Sequence, residues 1–217
     1  MSLNSSQKAL TGNFDQQFNL PVCGIDEVGR GPLAGPVISA CVFIPEKSLD
    51  NPLWQKITDS KKISAIKREK LFEPIKELCF YGIAEATHQE IDRYNIHHAT
   101  LLAMKRAYEV MIAKKSPIPA TALIDGKFAP DIDCPTQTVI KGDSLSLCIG
   151  AASIIAKVTR DRLMKKLHED FPHYAWDRNA GYGTKAHMEG LQSHGLTPFH
   201  RLSFAPCAAL NKIPSGA

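Results

Sequence analysis

The sequence predicts an α/β protein, a mixed β-sheet flanked by helices. Short apolar runs rich in β-branched residues recur at residues 20–26, 35–44, 80–86, 120–125 and 136–140. Stretches with helical spacing alternate with the later runs. The first two runs are joined too tightly for an intervening helix, which makes them antiparallel neighbours. Three early strands followed by alternating helix and strand give a mixed sheet with helices on its faces.

In chain order, residues 1–19 carry Asn, Ser and Gln without a period and read as a loose tail. Leu20 to Asp26 reads as a buried strand and Gly35 to Ile44 as a second. A polar loop, Thr58-Asp59-Ser60-Lys61-Lys62, follows. Ser64 is placed to cap a helix running toward Cys79, which Pro74 should bend or split. Phe80 to Ala86 is a third strand. Thr87 with Glu90 fits a capping box. From Ile96 to Lys114, Leu101, Ala103, Met104, Ala107, Tyr108 and Met111 recur at helical spacing, and Pro117 and Pro119 stop the run. Ala120 to Asp125 and Thr136 to Ile140 are two more strands. Ser146 to about His168 forms a helix whose Gly150, Ala151, Ala152 and Ser153 let it approach a neighbour closely. A further helix lies near Lys185–Ser193 in a His-, Gly- and Pro-rich C-terminal part.

The 217 residues suit one domain, taken here as 20–210 between tails 1–19 and 211–217. A hydrophobic fraction of 44% supports a real core. The net charge of +4 is compatible with a polyanionic partner without requiring one. Six cysteines form no C-x-x-C pair, so neither a disulfide framework nor a zinc knuckle is expected. Residues 1–20 lack an apolar signal core, and the apolar stretch 145–156 is too short to span a bilayer. The expectation is a reduced, cytoplasmic, monomeric protein with no membrane role.

Asp26, Glu27, Asp125 and Asp143 carry the chemistry. Asp26 and Asp125 each end a predicted strand with glycine close by, and Asp143 follows Lys141-Gly142 just beyond a third. A lone Asp there is ordinarily a turn former or helix cap. Four of them, each just after an apolar run, point instead to a metal site. Converged carboxylates repel one another and raise at least one pKa unless cations neutralise them. Two Mg²⁺ or Mn²⁺ ions held this way can activate water and stabilise the leaving oxygen of a phosphodiester. Asp26 and Glu27 are strand neighbours that should face opposite ways, so both serve one site only if the strand ends or bulges there.

Behind the first pair, three glycines and two prolines fall within residues 29–36. Gly29-Arg30-Gly31 permits close backbone approach to phosphate or sugar. It is neither a Walker A loop nor G-x-G-x-x-G. Gly181-Tyr182-Gly183 presents a ring able to stack on a base or sugar, although a plain surface Tyr is nearly as good a reading. Lys61 in Asp59-Ser60-Lys61-Lys62 can bind phosphate, with a solvated basic loop as the default. His97-His98 opens a helix and reads as structural. No G-x-S-x-G elbow exists, which argues against a serine hydrolase.

These residues resemble the bacterial ribonuclease HII family. The likeness rests on residues 24–35 and 59–62, then Asn95–Thr100, Leu123–Gly126, Lys141–Ser144, Ala151–Asp161, Gly181-Tyr182 and His200–Phe204, in the family's order. It implies a ribonuclease H-like fold with a C-terminal helical extension. It implies endonucleolytic cleavage of the RNA strand of RNA–DNA hybrids and incision at single ribonucleotides in duplex DNA, leaving 3′-hydroxyl and 5′-phosphate ends, a DNA-repair activity. Asp26, Glu27, Asp125 and Asp143 take the catalytic metal positions. Gly29, Arg30 and Gly31 sense the 2′-hydroxyl, and Tyr182 stacks on the sugar beside the scissile bond. The alternatives are a non-catalytic nucleic-acid-binding protein of the same fold, or another two-metal nuclease.

Overall fold

The β-branched runs pair into one five-stranded sheet, in a computed structural model that describes residues 12–57 and 63–211. The strands are β1 (Val22–Val28), β2 (Val37–Phe43), β3 (Phe80–Ala86), β4 (Thr121–Asp125) and β5 (Thr136–Val139), in spatial order β3-β2-β1-β4-β5. The β1–β2 and β2–β3 pairs are antiparallel; β1–β4 and β4–β5 are parallel. The expected mixed sheet and its antiparallel start are both present.

Side chains alternate between two cores. Val22, Ala40, Val42 and Leu123 join the cluster under helix α3 (Leu147–Asp170), with α1 (Ala65–Leu78) outside it. Cys23, Ile25, Cys41, Ala122 and Ile124 face α2 (His88–Ala113) on the other side. Gly24 sets how close α3 comes: a Cβ there would lie 2.3 Å from the Cys148 carbonyl carbon and the Ile149 nitrogen. Gly150, Ala151, Ala152 and Ser153 are all buried on that helix, as their size predicted. Ser146 caps it, accepting from the Ile149 amide at 3.2 Å.

The Thr87–Glu90 capping box opens α2. Asn95, at φ 64, breaks the helical path, and its side chain caps the amides of His97 and His98. The helix expected from Ile96 is the part after this internal cap. The C-terminal half of α3 carries the helical extension, α4 (Trp176–Asn179), α5 (Lys185–His194) and α6 (Ala205–Asn211). They close around Leu33, Met164, Leu167, Tyr174, Trp176, Leu191 and Cys207. No helix among the described residues is long and apolar enough to cross a membrane.

Two expectations change. Pro74 does not split α1, because Leu71, Phe72 and Ile75 on both sides of it are buried in the core and hold the helix across the lost hydrogen bond. Residues 12–19 are not a loose tail. Asp15, buried in a short 3₁₀ turn, accepts a hydrogen bond from the Cys148 amide at 3.1 Å at the start of α3. There the helix's free N–H groups and dipole favour a carboxylate.

Gly24→Ala should lower the unfolding free energy by about 1–3 kcal/mol, the usual range for overpacking. Denaturant titration checks this, and unchanged stability would contradict the tight α3–β1 contact.

Candidate active site

The parallel β1–β4 ladder decides where the carboxylates meet. Its last paired positions are Ile25 and Ile124, so the next residues, Asp26 and Asp125, end up side by side on the α3 face. Asp26 is 5% exposed, accepts from the Glu27 amide at 2.7 Å, and interacts with Ser153 of α3. Asp125 accepts from the Gly142 amide at 2.7 Å. That bond ties it to the 3₁₀ turn Gly142–Ser144, where Asp143 is buried. Lys141, at φ 58, makes the sharp entry into this turn.

Glu27 does not reach the site by a bulge. β1 pairs regularly with β2 through Val28, so Glu27 faces away from Asp26. On its other side the ladder with β4 has already stopped, and the open sheet end brings Glu27 within electrostatic reach of Asp125. The strand thus ends toward β4 while it continues alongside β2.

Burial pushes the Asp26 carboxyl well above the ordinary Asp range, and the nearby Glu27 and Asp125 charges add to the rise. Burial also raises Glu27; Arg30, 3.5 Å away, opposes this and Asp125 reinforces it. The Glu27 Oε2 atom is buried without a hydrogen-bond partner. Among the described residues, no three His, Cys, Asp or Glu side chains are grouped closely enough to hold a metal ion by themselves. The set is all hard oxygen donors, gathers like charge that Arg30 offsets only at Glu27, and includes an orphaned buried oxygen. That fits a divalent cation such as Mg²⁺ or Mn²⁺, which takes a few carboxylates and completes its shell with water and phosphate.

The Gly29-Arg30-Gly31 loop lies directly behind. Two arginines that sequence reasoning passed over build it. Arg201, fully buried, donates to the carbonyls of Gly29 (2.5 Å), Arg30 (2.9 Å) and Gly35 (2.9 Å). Arg160, fully buried on α3, donates to those of Pro36 (2.9 Å), Ala34 (3.0 Å) and Ala180 (2.8 Å). Burial lowers Arg160 to about 10 and Arg201 to about 9, so both stay charged at neutral pH. Gly29 must be glycine: its φ is +95, and a Cβ would sit 2.2 Å from Arg160 Nε. The Gly29 and Arg30 carbonyls are thus spent on the interior.

Tyr182 stands over this loop, 46% exposed, its Cε1 atom 3.2 Å from where a Gly31 Cβ would be. The glycine before it, Gly181, is clamped rather than free. Gly181 donates to Asn179 Oδ1 and to no flexible partner, and Gly181 O accepts from the Leu33 amide at 2.8 Å. Asp92 of α2 accepts from the Leu202 and Ser203 amides and the Ser203 hydroxyl, anchoring the segment that carries Arg201. Lys61 lies outside the described residues. The sequence does not single out Arg160, which shares its stretch of α3 with Lys157, Asp161 and Arg162.

The family model described as ribonuclease HII matches residues 23–207. The chain belongs to the ribonuclease HII family. It is 49% identical over 187 residues to a ribonuclease HII of Paramagnetospirillum magneticum, covering 86% of this chain and 91% of that one. It is 48% identical over 220 residues to one from Ralstonia nicotianae, covering 100% and 89%. Among solved structures, the ribonuclease H2 of Pyrococcus horikoshii superposes with a TM-score of 0.70 at 26% identity, covering 87% of this chain and 96% of that one. This ribonuclease HII is therefore a divalent-metal-dependent ribonuclease with the ribonuclease H fold.

A raised carboxyl means the folded protein binds more protons than the unfolded chain. Without metal, its ionisation therefore removes stability as pH rises above the unfolded Asp value of about 4. In chelator at pH 7, Asp26→Asn should melt higher than wild type. Mg²⁺ or Mn²⁺ should raise the wild-type midpoint more than the variant's. A variant that melts lower in chelator, or gains as much from metal, would contradict the charge crowding.

Proposed function

We propose that this ribonuclease HII hydrolyses the RNA strand of RNA–DNA hybrids and nicks duplex DNA at single embedded ribonucleotides. Asp26, Glu27, Asp125 and Asp143 are the proposed metal-holding catalytic residues. The side-by-side placement of Asp26 and Asp125 beneath the Gly29–Gly31 loop carries this reading. Two Mg²⁺ or Mn²⁺ ions bound with substrate would supply a water of lowered pKa and a counter-charge for the leaving oxygen.

This chain's own groups do the rest. Loop backbone at Gly29, Arg30 and Gly31 approaches the sugar, where the 2′-hydroxyl separates RNA from DNA. The two buried guanidiniums behind it withdraw the carbonyls, which favours presenting N–H groups to that hydroxyl. Arg30, exposed beside Glu27, offers a cation to a backbone phosphate. Tyr182 packs its ring on the sugar next to the scissile bond and fixes where the phosphate lies. Water oxygen bonds to phosphorus, the P–O3′ bond breaks, and the products carry 5′-phosphate and 3′-hydroxyl ends. Lys61 is proposed to bind a flanking phosphate. The protein is proposed to act as a monomer. Six free thiols support a reducing, cytoplasmic setting.

A DNA duplex with one embedded ribonucleotide should be nicked once, at that nucleotide, with Mg²⁺ or Mn²⁺ and not with chelator. Asp125→Asn should slow turnover on the order of a thousandfold, since metal stabilisation is worth several kcal/mol. Equal cutting of all-DNA duplex would point to another nuclease, and wild-type turnover in the variant would refute the site.

A further inference from the structure

Behind Tyr182 lies a buried chain of two histidines that the reaction as described does not use. His187 of α5 is fully buried and His200 is 1% exposed. His187 Nδ1 lies 3.0 Å from the Tyr182 carbonyl oxygen. Its Nε2 lies 3.0 Å from His200 Nε2 and 3.2 Å from Trp176 Nε1. His200 Nδ1 lies 2.9 Å from the Thr197 amide.

The partners fix every proton. An indole N–H can only donate, so His187 Nε2 must accept and His187 carries its hydrogen on Nδ1. The Thr197 amide can only donate, so His200 Nδ1 must accept and its hydrogen sits on Nε2, aimed at His187. Two independent donors thus impose the same state: neutral rings, with one N–H directed at the Tyr182 carbonyl. A proton added to His187 Nε2 would face two donors. Burial agrees, lowering His187 and taking His200 down to about 4.

The geometry also joins Tyr182 to the glycine loop. His200 bridges Ala34 in a short antiparallel contact, and the Arg201 amide donates to Leu33 O at 2.8 Å. The dipeptide His200-Arg201 therefore sends one side chain toward Tyr182, through His187, and the other to the carbonyls of Gly29 and Arg30.

We propose that His187, with its tautomer set by His200 and Trp176, is a positioning residue for cleavage, holding Tyr182 at a fixed offset from the Gly29–Gly31 loop. This rests on the reading of Tyr182 as a sugar contact. A neutral imidazole suits the role, being rigid and donating one directed hydrogen bond. The Tyr182 carbonyl accepts a second bond from the Thr184 amide at 2.7 Å, so without His187 the turn keeps its fold and loses its aim.

The test is steady-state cleavage of the single-ribonucleotide duplex by His187→Leu, Tyr182→Ala and the double variant. His187→Leu should lower kcat roughly five- to tenfold, the size of one hydrogen bond, with KM within about twofold. His187→Asn, which keeps a donor near the Nδ1 position, should recover most of the loss. In the double variant, His187→Leu should add nothing to Tyr182→Ala, because both remove the same placement. Losses that multiply overturn this inference and leave Tyr182 in place. Wild-type turnover in Tyr182→Ala overturns the Tyr182 assignment, and this inference with it. A second measurement needs no variant: long-range ¹H–¹⁵N spectra of the wild-type imidazoles at pH 7. They should show His187 as the Nδ1–H and His200 as the Nε2–H tautomer, both neutral. A His187 Nε2–H tautomer would overturn the proposal.

Discussion

The parallel pairing of β1 with β4 is the constraint on which the rest depends. It is a register, set by apolar residues: Ile25 against Ile124 on one face and Leu123 in the core on the other. Because the ladder is regular, the first residues beyond it bring two carboxylates together at the sheet end. A slip of one position would turn Asp26 to the other face and separate the pair. The hydrophobic core thus holds in place a repulsion that the folded state would otherwise relax. α3 presses on the same face through Gly24 and keeps water scarce around Asp26. The Gly142–Asp125 bond adds the turn that carries Asp143.

Around this acidic end the protein places a positively charged interior. Arg160 and Arg201 sit behind the glycine loop, bonded to backbone carbonyls and, among the described residues, to no carboxylate. Buried cations are costly, and each guanidinium offsets this with three well-formed hydrogen bonds. The result is a loop that cannot sag or breathe without stranding a charge. His187 and His200 do the same for the Tyr182 turn with neutral groups. Both substrate-facing segments are preorganised from within, which lets short glycine-rich stretches keep a defined shape.

Much of this was legible in the sequence. The strands announced themselves as β-branched runs, and Ser64 and Thr87 marked two helix starts by their side-chain chemistry. The carboxylates were readable because each follows an apolar run, and strand ends gather ligands in such sheets. Arg160 and Arg201 were not readable in role. Their partners are main-chain carbonyls, all but that of Ala180 more than a hundred residues away, and main-chain groups leave no mark in a sequence. The histidine chain was hidden likewise, since its tautomers are set by Trp176 and Thr197 only after folding. Glycine at 181 read as freedom, whereas hydrogen bonds with Leu33 and Asn179 hold it. Asp15 looked like part of a polar tail because its partner is the start of a helix 133 positions on. Glu27 needed the uneven end of the sheet, which no single strand reveals.

The central claim is that these separated carboxylates together grip a cation. Anomalous diffraction at the manganese edge, from crystals soaked in Mn²⁺, tests it most directly. The account predicts a peak within bonding distance of Asp26 and Asp125 oxygens, with Glu27 turned toward it. A strong peak elsewhere, with those side chains left unligated, would contradict it.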